Sequence, residues 1–142
     1  MAGTQQALDL VVVGAGILGL AHALAAVRRG WRVAVVERDA QAVGASVRNF
    51  GFVTVSGQSA DGSWQRARRS RDVWLDVAQA AGIPVQHRGA WLVARRPAAF
   101  DVLQAFQSGP MGDGCELHTA AGVAQRAPWV RSDGLAGALY SP

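Results

Sequence analysis

The chain has 142 residues, half of them hydrophobic, and its formal net charge is +4 at pH 7. That length allows one domain or part of a larger protein, and the hydrophobic fraction is high enough to exclude general disorder. A single cysteine excludes a disulfide framework and a cysteine-based metal cluster. Residues 10–27 carry no charged side chain, but three glycines and a histidine interrupt them, which argues against a membrane span. We therefore expect a cytoplasmic protein with no membrane partner.

A strand, a helix and a second strand are predicted in the first 37 residues. Leu8 to Val13 is apolar except for one residue, which is typical of a strand buried on both faces of a parallel sheet. The helix should run from Gly16 to Arg29 and stop at Gly30. The second strand should cover Arg32 to Val36. Hydrophobic residues at three- and four-residue spacing predict the buried side of the helix: Ile17, Leu20, Ala21, Leu24 and Val27.

The remainder of the chain predicts a long loop and then an α+β pattern. Ala40 to Gly62 should be a loop with a short helical segment at Val43 to Val47, and Ser63 should cap a helix over Trp64 to Ala81. Gly82 and Pro84 should end that helix. We expect a domain change near residue 84, which divides the chain into portions 1–84 and 85–142. The predicted elements of the second portion are a strand at Ala90–Ala94, a helix at Pro97–Gln107, a strand at Glu116–Thr119, a helix at Ala120–Ala127 and a strand at Gly137–Tyr140.

The clearest chemical signal is the segment GAGILG, which follows the first strand and opens the helix. Gly14 permits a tight turn, Gly16 lets the backbone approach a pyrophosphate, and Gly19 lets the helix pack close to the strand. Free N–H groups at the start of a helix, together with the helix dipole, can hold phosphates. Glu37 ends the second strand, where a carboxylate can accept hydrogen bonds from the ribose hydroxyls of an adenosine and would repel the 2′-phosphate of NADP.

The motif extends beyond the three glycines. Its further members are Ala23, Ala26, Gly30, Val33 and Glu37, and the segment GASVRNFG follows at Gly44–Gly51. On these residues the chain resembles the FAD-dependent D-amino-acid oxidase, glycine oxidase and sarcosine oxidase family. Gln86–Val93 and Pro128–Pro142 are weakly similar to segments of that family's substrate domain. The resemblance implies an α/β fold, in which a Rossmann-like βαβ FAD-binding unit precedes the incomplete start of an α+β substrate domain.

The same resemblance implies FAD as the cofactor and assigns residues to its site. The pyrophosphate would be wrapped by Gly14, Ala15, Gly16, Ile17, Leu18 and Gly19. Glu37 would hold the adenosine ribose, Arg38 would lie along the adenine, and Ser46 would reach the pyrophosphate from its other face. The ribityl chain and flavin ring would be approached by Arg48, Asn49, Phe50 and Gly51.

The implied activity is oxidation of the C–N bond of an amine or amino acid by hydride transfer to flavin, with no catalytic residue identifiable from the sequence. Members of the family are more than twice as long, so we expect an amino-terminal fragment or a truncated reading frame, inactive without the missing C-terminal portion of its fold. Two alternatives stay open. The chain could be a non-catalytic adenine-dinucleotide-binding module, or an inactive truncated product.

Other polar residues have simpler interpretations. The basic run Arg66–Arg71 is interpreted as a solvated helix face, in which Asp72 is spaced to pair with Arg68 and Arg69, so no nucleic-acid partner is expected. The three histidines have no neighbours at metal-ligand spacing, and no metal site is predicted.

Overall fold

The N-terminal part of the chain is a strand–helix–strand unit. In the computed structural model, which describes residues 7–142, β1 spans Leu10–Val13, α1 spans Ile17–Val27 and β2 spans Val33–Val36. The two strands pair in parallel from Leu10 opposite Val33 to Val13 opposite Val36. A parallel pair needs a crossover connection, and α1 supplies it. The element order and the parallel pairing agree with the prediction.

The buried side of α1 differs from the prediction. Its buried residues are Ala23 and Ala26, whereas Ile17 is 42% exposed and Val27 is 55% exposed. Leu20 and Ala21 are exposed as well, and Leu24 is only partly buried. The helix lies so close to the strands that only small residues fit between them, and the larger side chains are displaced to its flanks. Periodicity of large hydrophobic residues therefore predicted the helix correctly and its contact face wrongly.

The strands of this unit are not buried on both faces, which corrects a second expectation. Alternate residues of β1 are exposed, and Val13 reaches 86% exposure. In β2, Val35 and Val36 are exposed. The helix α1 contacts both strands and covers one face of the pair. A two-stranded sheet with one covering helix cannot bury both faces, so β1 alternates between partial burial and exposure, and β2 is partly buried at Val33 and Ala34 only.

The segment between β2 and the next long helix contains one short helical turn. A 3₁₀ helix covers Ala45–Arg48, two residues later than the predicted segment starts and one later than it ends. The helix α2 follows at Ser63–Ala81. Its N-cap is Gly62 and not Ser63, because Ser63 already has helical geometry, and the Asp61 carboxylate accepts the Ser63 N–H at 3.2 Å. Gly82 ends α2 in the left-handed conformation, as predicted.

The ion pairs of α2 also differ from the prediction. Asp72 pairs with the adjacent Arg71, at 3.0 Å, and not with Arg68 or Arg69. The guanidinium of Arg68 lies 4.9 Å from the ring centroid of Trp64, one turn earlier, and 3.8 Å from Asp113. Long side chains on a helix point back toward its N-terminus, which directs Arg68 to Trp64 rather than onward to Asp72.

The C-terminal part of the chain is an antiparallel sheet between two helices. The strands β3 (Ala90–Ala94), β4 (Glu116–His118) and β5 (Gly137–Ser141) have the spatial order β3-β5-β4. The helix α3 (Pro97–Gln107) contacts all three strands, and α4 (Ala120–Arg126) contacts β4 and β5. The bounds of β3 and α3 are as predicted. The elements β4, α4 and β5 start at the predicted residues, and their last residues differ from the prediction by one position.

The core of this second part surrounds β5. Val123, Ala127 and Ala138 form a fully buried cluster against which Trp91, Val130 and Leu135 pack. Leu139 is also fully buried. On the α3 side, Phe100 lies so close to Gly137 that an added Cβ would overlap its ring. With α3 and α4 both packed against it, β5 is buried over nearly its whole length.

Contacts divide the chain into two compact units between Phe52 and Val53, and this division places α2 in the second unit. The predicted domain change near residue 84 is a separate matter, because it assigns α2 to the cofactor-binding portion of the chain by function and not by contacts. That assignment stays a prediction. Within the described residues, no helix combines the length and apolar character that crossing a membrane requires.

Candidate functional site: the turn between β1 and α1

The glycine-rich turn begins with a residue in left-handed geometry. Gly14 has φ +100°, a conformation that strongly favours glycine, and its N–H donates to the Val36 carbonyl at 2.7 Å. The chain therefore leaves the sheet immediately after its last paired residue. Gly16 then takes an extended conformation and forms the N-cap of α1. The tight turn expected of Gly14 is present.

Gly19 brings α1 against this turn. A Cβ at Gly19 would overlap the Gly14 carbonyl oxygen and lie 3.2 Å from Val12 Cγ1. The first obstacle is backbone, which cannot rotate away as a side chain can. The close helix–strand packing expected of the third glycine is therefore present.

Ser46 reaches the start of α1 from the 3₁₀ helix. Its Oγ accepts a hydrogen bond from the Ile17 N–H at 2.9 Å, across 29 residues of sequence. The first N–H groups of a helix have no partner within the helix, and here the serine hydroxyl supplies one. A Cβ at Gly16 would come within 3.2 Å of the same hydroxyl, so a side chain there would crowd this contact.

These elements enclose an open cleft of about 420 Å³. Seven of the predicted site residues line it: Gly14, Gly16, Ile17, Leu18, Gly19, Ser46 and Asn49. Val13 and Ala45 also line the cleft and were missed by the sequence analysis. Their positions, each directly before a predicted site residue, were the available signal.

Glu37 lies at the end of β2 and contacts the turn directly. Its Oε2 accepts the Ala15 N–H at 2.8 Å, while Oε1 accepts the N–H groups of Arg38 at 2.8 Å and Asp39 at 3.3 Å. These donors, Ala15 first, hold the pKa of the Glu37 carboxyl below its usual value. The carboxylate is therefore charged at neutral pH. A carboxylate offers about four acceptor positions, so capacity remains for a further donor such as a ribose hydroxyl.

The other predicted residues lie outside the cleft lining. Arg38 is exposed and its guanidinium pairs with Asp39 at 3.3 Å. Arg48 closes the 3₁₀ helix, and the Gly51 N–H donates to Oδ1 of the cleft-lining Asn49 at 3.3 Å. Phe50 is 86% exposed, and its ring stacks on that of Phe52 with centroids 5.8 Å apart. The ligand contacts expected of these residues, like those expected of the residues that line the cleft, stay predictions.

The arrangement is suited to an anion beside an adenosine. Backbone N–H groups at the start of α1, the positive end of its dipole and the Ser46 hydroxyl all favour phosphate oxygens. No acidic residue lies in the first turn of α1 to oppose them. Among the described residues, the only carboxylate that contacts the turn is that of Glu37, at the end of β2. Among residues 7–142, no three His, Cys, Asp or Glu side chains are grouped to hold a metal ion.

Solved structures share the fold of this chain. Glycine oxidase from Bacillus cereus ATCC 14579 superposes with a TM-score of 0.74 at 22% identity, covering 96% of this chain and 40% of that one. L-proline dehydrogenase from P. horikoshii gives 0.78 at 18% identity, covering 96% and 37%. Glycine oxidase from Geobacillus kaustophilus gives 0.73 at 23% identity, covering 95% and 39%. The chain thus spans about two fifths of the length of these proteins.

Comparison with curated protein sequences finds no match. A family model does match: FAD dependent oxidoreductase, over residues 9–142. The match covers both compact units, including the glycine-rich turn, Ser46 and Glu37. The chain belongs to the FAD-dependent oxidoreductase family.

Proposed function

We propose that residues 7–52 form a Rossmann-like unit that binds FAD, with the pyrophosphate at the start of α1 and the adenosine ribose at Glu37. The observation that carries this proposal is the convergence of three elements on one cleft: the glycine-rich turn, the Ser46 hydroxyl and the start of α1. The cofactor of the family is FAD, and the donors present are those a diphosphate requires.

The residues present fit that cofactor. A Cβ at Gly16 would crowd the Ser46 hydroxyl. Because Gly16 has none, a ligand can approach the backbone closely at this position. Ser46 accepts from Ile17 N–H and keeps its own hydroxyl proton to donate to a phosphate oxygen. Asn49 lines the same cleft and can offer its amide group to the ribityl side. Arg48 offers a cation to a diphosphate or to a reduced flavin.

We also propose the reaction class of the whole protein: oxidation of the C–N bond of an amine or amino acid. When bound, FAD supplies the redox chemistry by accepting a hydride from the substrate carbon next to nitrogen. Two proteins with the same fold are named glycine oxidases and a third an L-proline dehydrogenase, which supports this substrate class. Residues 85–142 would contribute the first part of the substrate domain. We propose that further chain supplies the rest, because this chain spans about two fifths of those proteins.

The visible absorbance spectrum of the purified chain tests the cofactor site. FAD is added, the excess is removed, and the retained flavin is measured in the wild type and in Gly16→Val. The valine should abolish retention, because its side chain would fill the space beside Ser46. Ala25→Val is the matched control, since Ala25 is exposed on the same helix, and it should retain flavin as the wild type does.

The spectrum also separates the alternatives. Folded, soluble wild-type chain that retains no flavin would contradict the site proposal. We expect the 142-residue chain to bind flavin without turning over amines or amino acids. Substrate-dependent peroxide formation by the chain alone would contradict the need for further chain.

A further inference from the structure

The contact between Glu37 and Ala15 gives the carboxylate a second task. Glu37 is proposed above to accept hydrogen bonds from the adenosine ribose. Its Oε2 also accepts a hydrogen bond from the N–H of Ala15, the residue between Gly14 and Gly16. The donor and acceptor are 2.8 Å apart and 22 residues apart in sequence. The bond therefore joins the end of β2 to the turn that follows β1.

Ordering the glycine-rich turn carries a high cost in conformational entropy. Gly14 and Gly16 lack side chains, and glycine loses more conformational freedom on ordering than any other residue. One bond, from Gly14 N–H to the Val36 carbonyl, continues the strand pairing up to the turn. The next N–H, that of Ala15, goes to Glu37, and the one at the start of α1, that of Ile17, goes to Ser46.

The Glu37 side chain is itself held in place. Its other oxygen, Oε1, accepts the N–H groups of Arg38 and Asp39, which fixes the carboxylate against the backbone at the end of β2. A side chain anchored in this way can position a second group, because its own rotamer is already chosen.

We propose that Glu37 is a positioning residue, which holds the turn at Ala15 in its phosphate-binding shape before any nucleotide arrives. This inference rests on the proposed function of the cleft. It separates two contributions of Glu37 to affinity, a direct one through the ribose and an indirect one through the phosphate-binding turn. An ordered turn does not have to be ordered at the moment of binding, which preserves affinity.

A pair of ligands distinguishes the two contributions. ADP carries the diphosphate and ribose hydroxyls, and 2′,3′-dideoxy-ADP carries the diphosphate without them. Dissociation constants of both are measured by calorimetry for the 142-residue chain and for Glu37→Ala. Positioning through Ala15 predicts a loss on the order of tenfold with dideoxy-ADP, and a larger loss with ADP, which also loses the ribose acceptor. A loss with ADP and none with dideoxy-ADP would overturn the proposal and leave Glu37 as a ribose acceptor alone.

Asp9→Ala is the matched control. Asp9 Oδ2 accepts the Arg32 N–H at 2.8 Å and so also joins the two strands through a carboxylate, away from the cleft. Asp9→Ala should lower the melting temperature and leave both dissociation constants unchanged. If it weakens both ligands as much as Glu37→Ala does, the effect of Glu37 is general destabilisation and the proposal is wrong.

Amide hydrogen exchange of the ligand-free wild type gives a readout that needs no variant. Ala15 should exchange as slowly as Gly14, whose N–H is bonded to Val36. Fast exchange at Ala15 would overturn the positioning role, whether or not ADP binds. A wild-type chain that does not bind ADP, but protects Ala15, would instead contradict the proposed nucleotide site.

Discussion

Gly19 stands where α1 passes closest to the turn that leaves β1. Most core positions accept an added methyl group by small shifts of neighbouring side chains. At Gly19 the neighbour is the carbonyl group of Gly14, and behind it lies Val12. Since Gly14 is fixed by its bond to Val36, neither side can give way without disturbing the strand pairing. The third glycine is thus required by packing, independently of any ligand.

We therefore expect Gly19→Ala to destabilise the first unit. Over-packing a core position typically costs about 1–3 kcal/mol, and a backbone obstacle places this substitution at the upper end. Chemical denaturation followed by circular dichroism measures the change. Gly44→Ala is the control, because a Cβ there has no neighbour within 4 Å. Equal stability of the two variants would show that α1 can move away from the strand at little cost.

At the residue scale, the sequence predicts which groups matter better than which groups they touch. The roles of Gly14 and Gly19 follow from backbone geometry and were predictable. That Ser46 accepts from Ile17 and Glu37 from Ala15 was not, because each contact joins residues more than 20 positions apart and depends on a side-chain rotamer. Sequence spacing carries no information on that choice.

At the scale of elements, α1 shows how a correct helix can be given the wrong face. Its hydrophobic residues recur at helical spacing, which predicts the helix well. The contact with the strands is instead made by a row of small residues, Gly19, Ala23 and Ala26, because the backbones approach closely. The same small residues belong to the extended motif, so the motif was a better guide to the buried face than hydrophobicity was.

Ala26→Leu tests this assignment of the face. Ala26 is 5% exposed, so a leucine there should push α1 from the strands and reduce the free energy of unfolding by about 1–3 kcal/mol. Ala25→Leu adds the same atoms at the exposed neighbouring position and should change stability by less than about 0.5 kcal/mol. Urea unfolding curves compare the two. A larger loss in Ala25→Leu would mean that the side of α1 that carries Ala25 is the packed one.

At the scale of the molecule, the order of elements was predictable and the layers were not. Every predicted helix and strand in the described residues is present, because periodicity, glycines and prolines mark their positions locally. Burial depends on what else packs there. The strand β5 lies against α3 and α4 and is buried, whereas β1 and β2, equally apolar, are half exposed beside the single helix α1. A strand sequence alone cannot show how many layers surround it.

Acid should destabilise both units through carboxylates that are charged and bonded in the folded state. The pKa of Asp9 is lowered mainly by the Arg32 side chain, that of Glu37 by the Ala15 N–H, and that of Glu116 by Arg126. A carboxyl whose pKa is lower in the folded state adds stability above its unfolded pKa. That contribution is lost as the pH falls through the folded value.

The pKa values in the unfolded chain are 3.8 for Asp and 4.5 for Glu. The free energy of unfolding should therefore hold between pH 7 and 5 and decline below about pH 4.5. Urea midpoints at pH 7, 5, 4 and 3 measure the decline. Glu116→Gln should make the decline with pH shallower, because an amide does not titrate. The neutral amide also loses the charge interaction with Arg126 that stabilises the folded state at neutral pH. The neutral-pH midpoint of that variant should accordingly be lower than that of the wild type. A wild-type midpoint that stays constant from pH 5 to 3 would contradict the carboxylate contacts in both units, since protonation would then remove nothing that stabilises the fold.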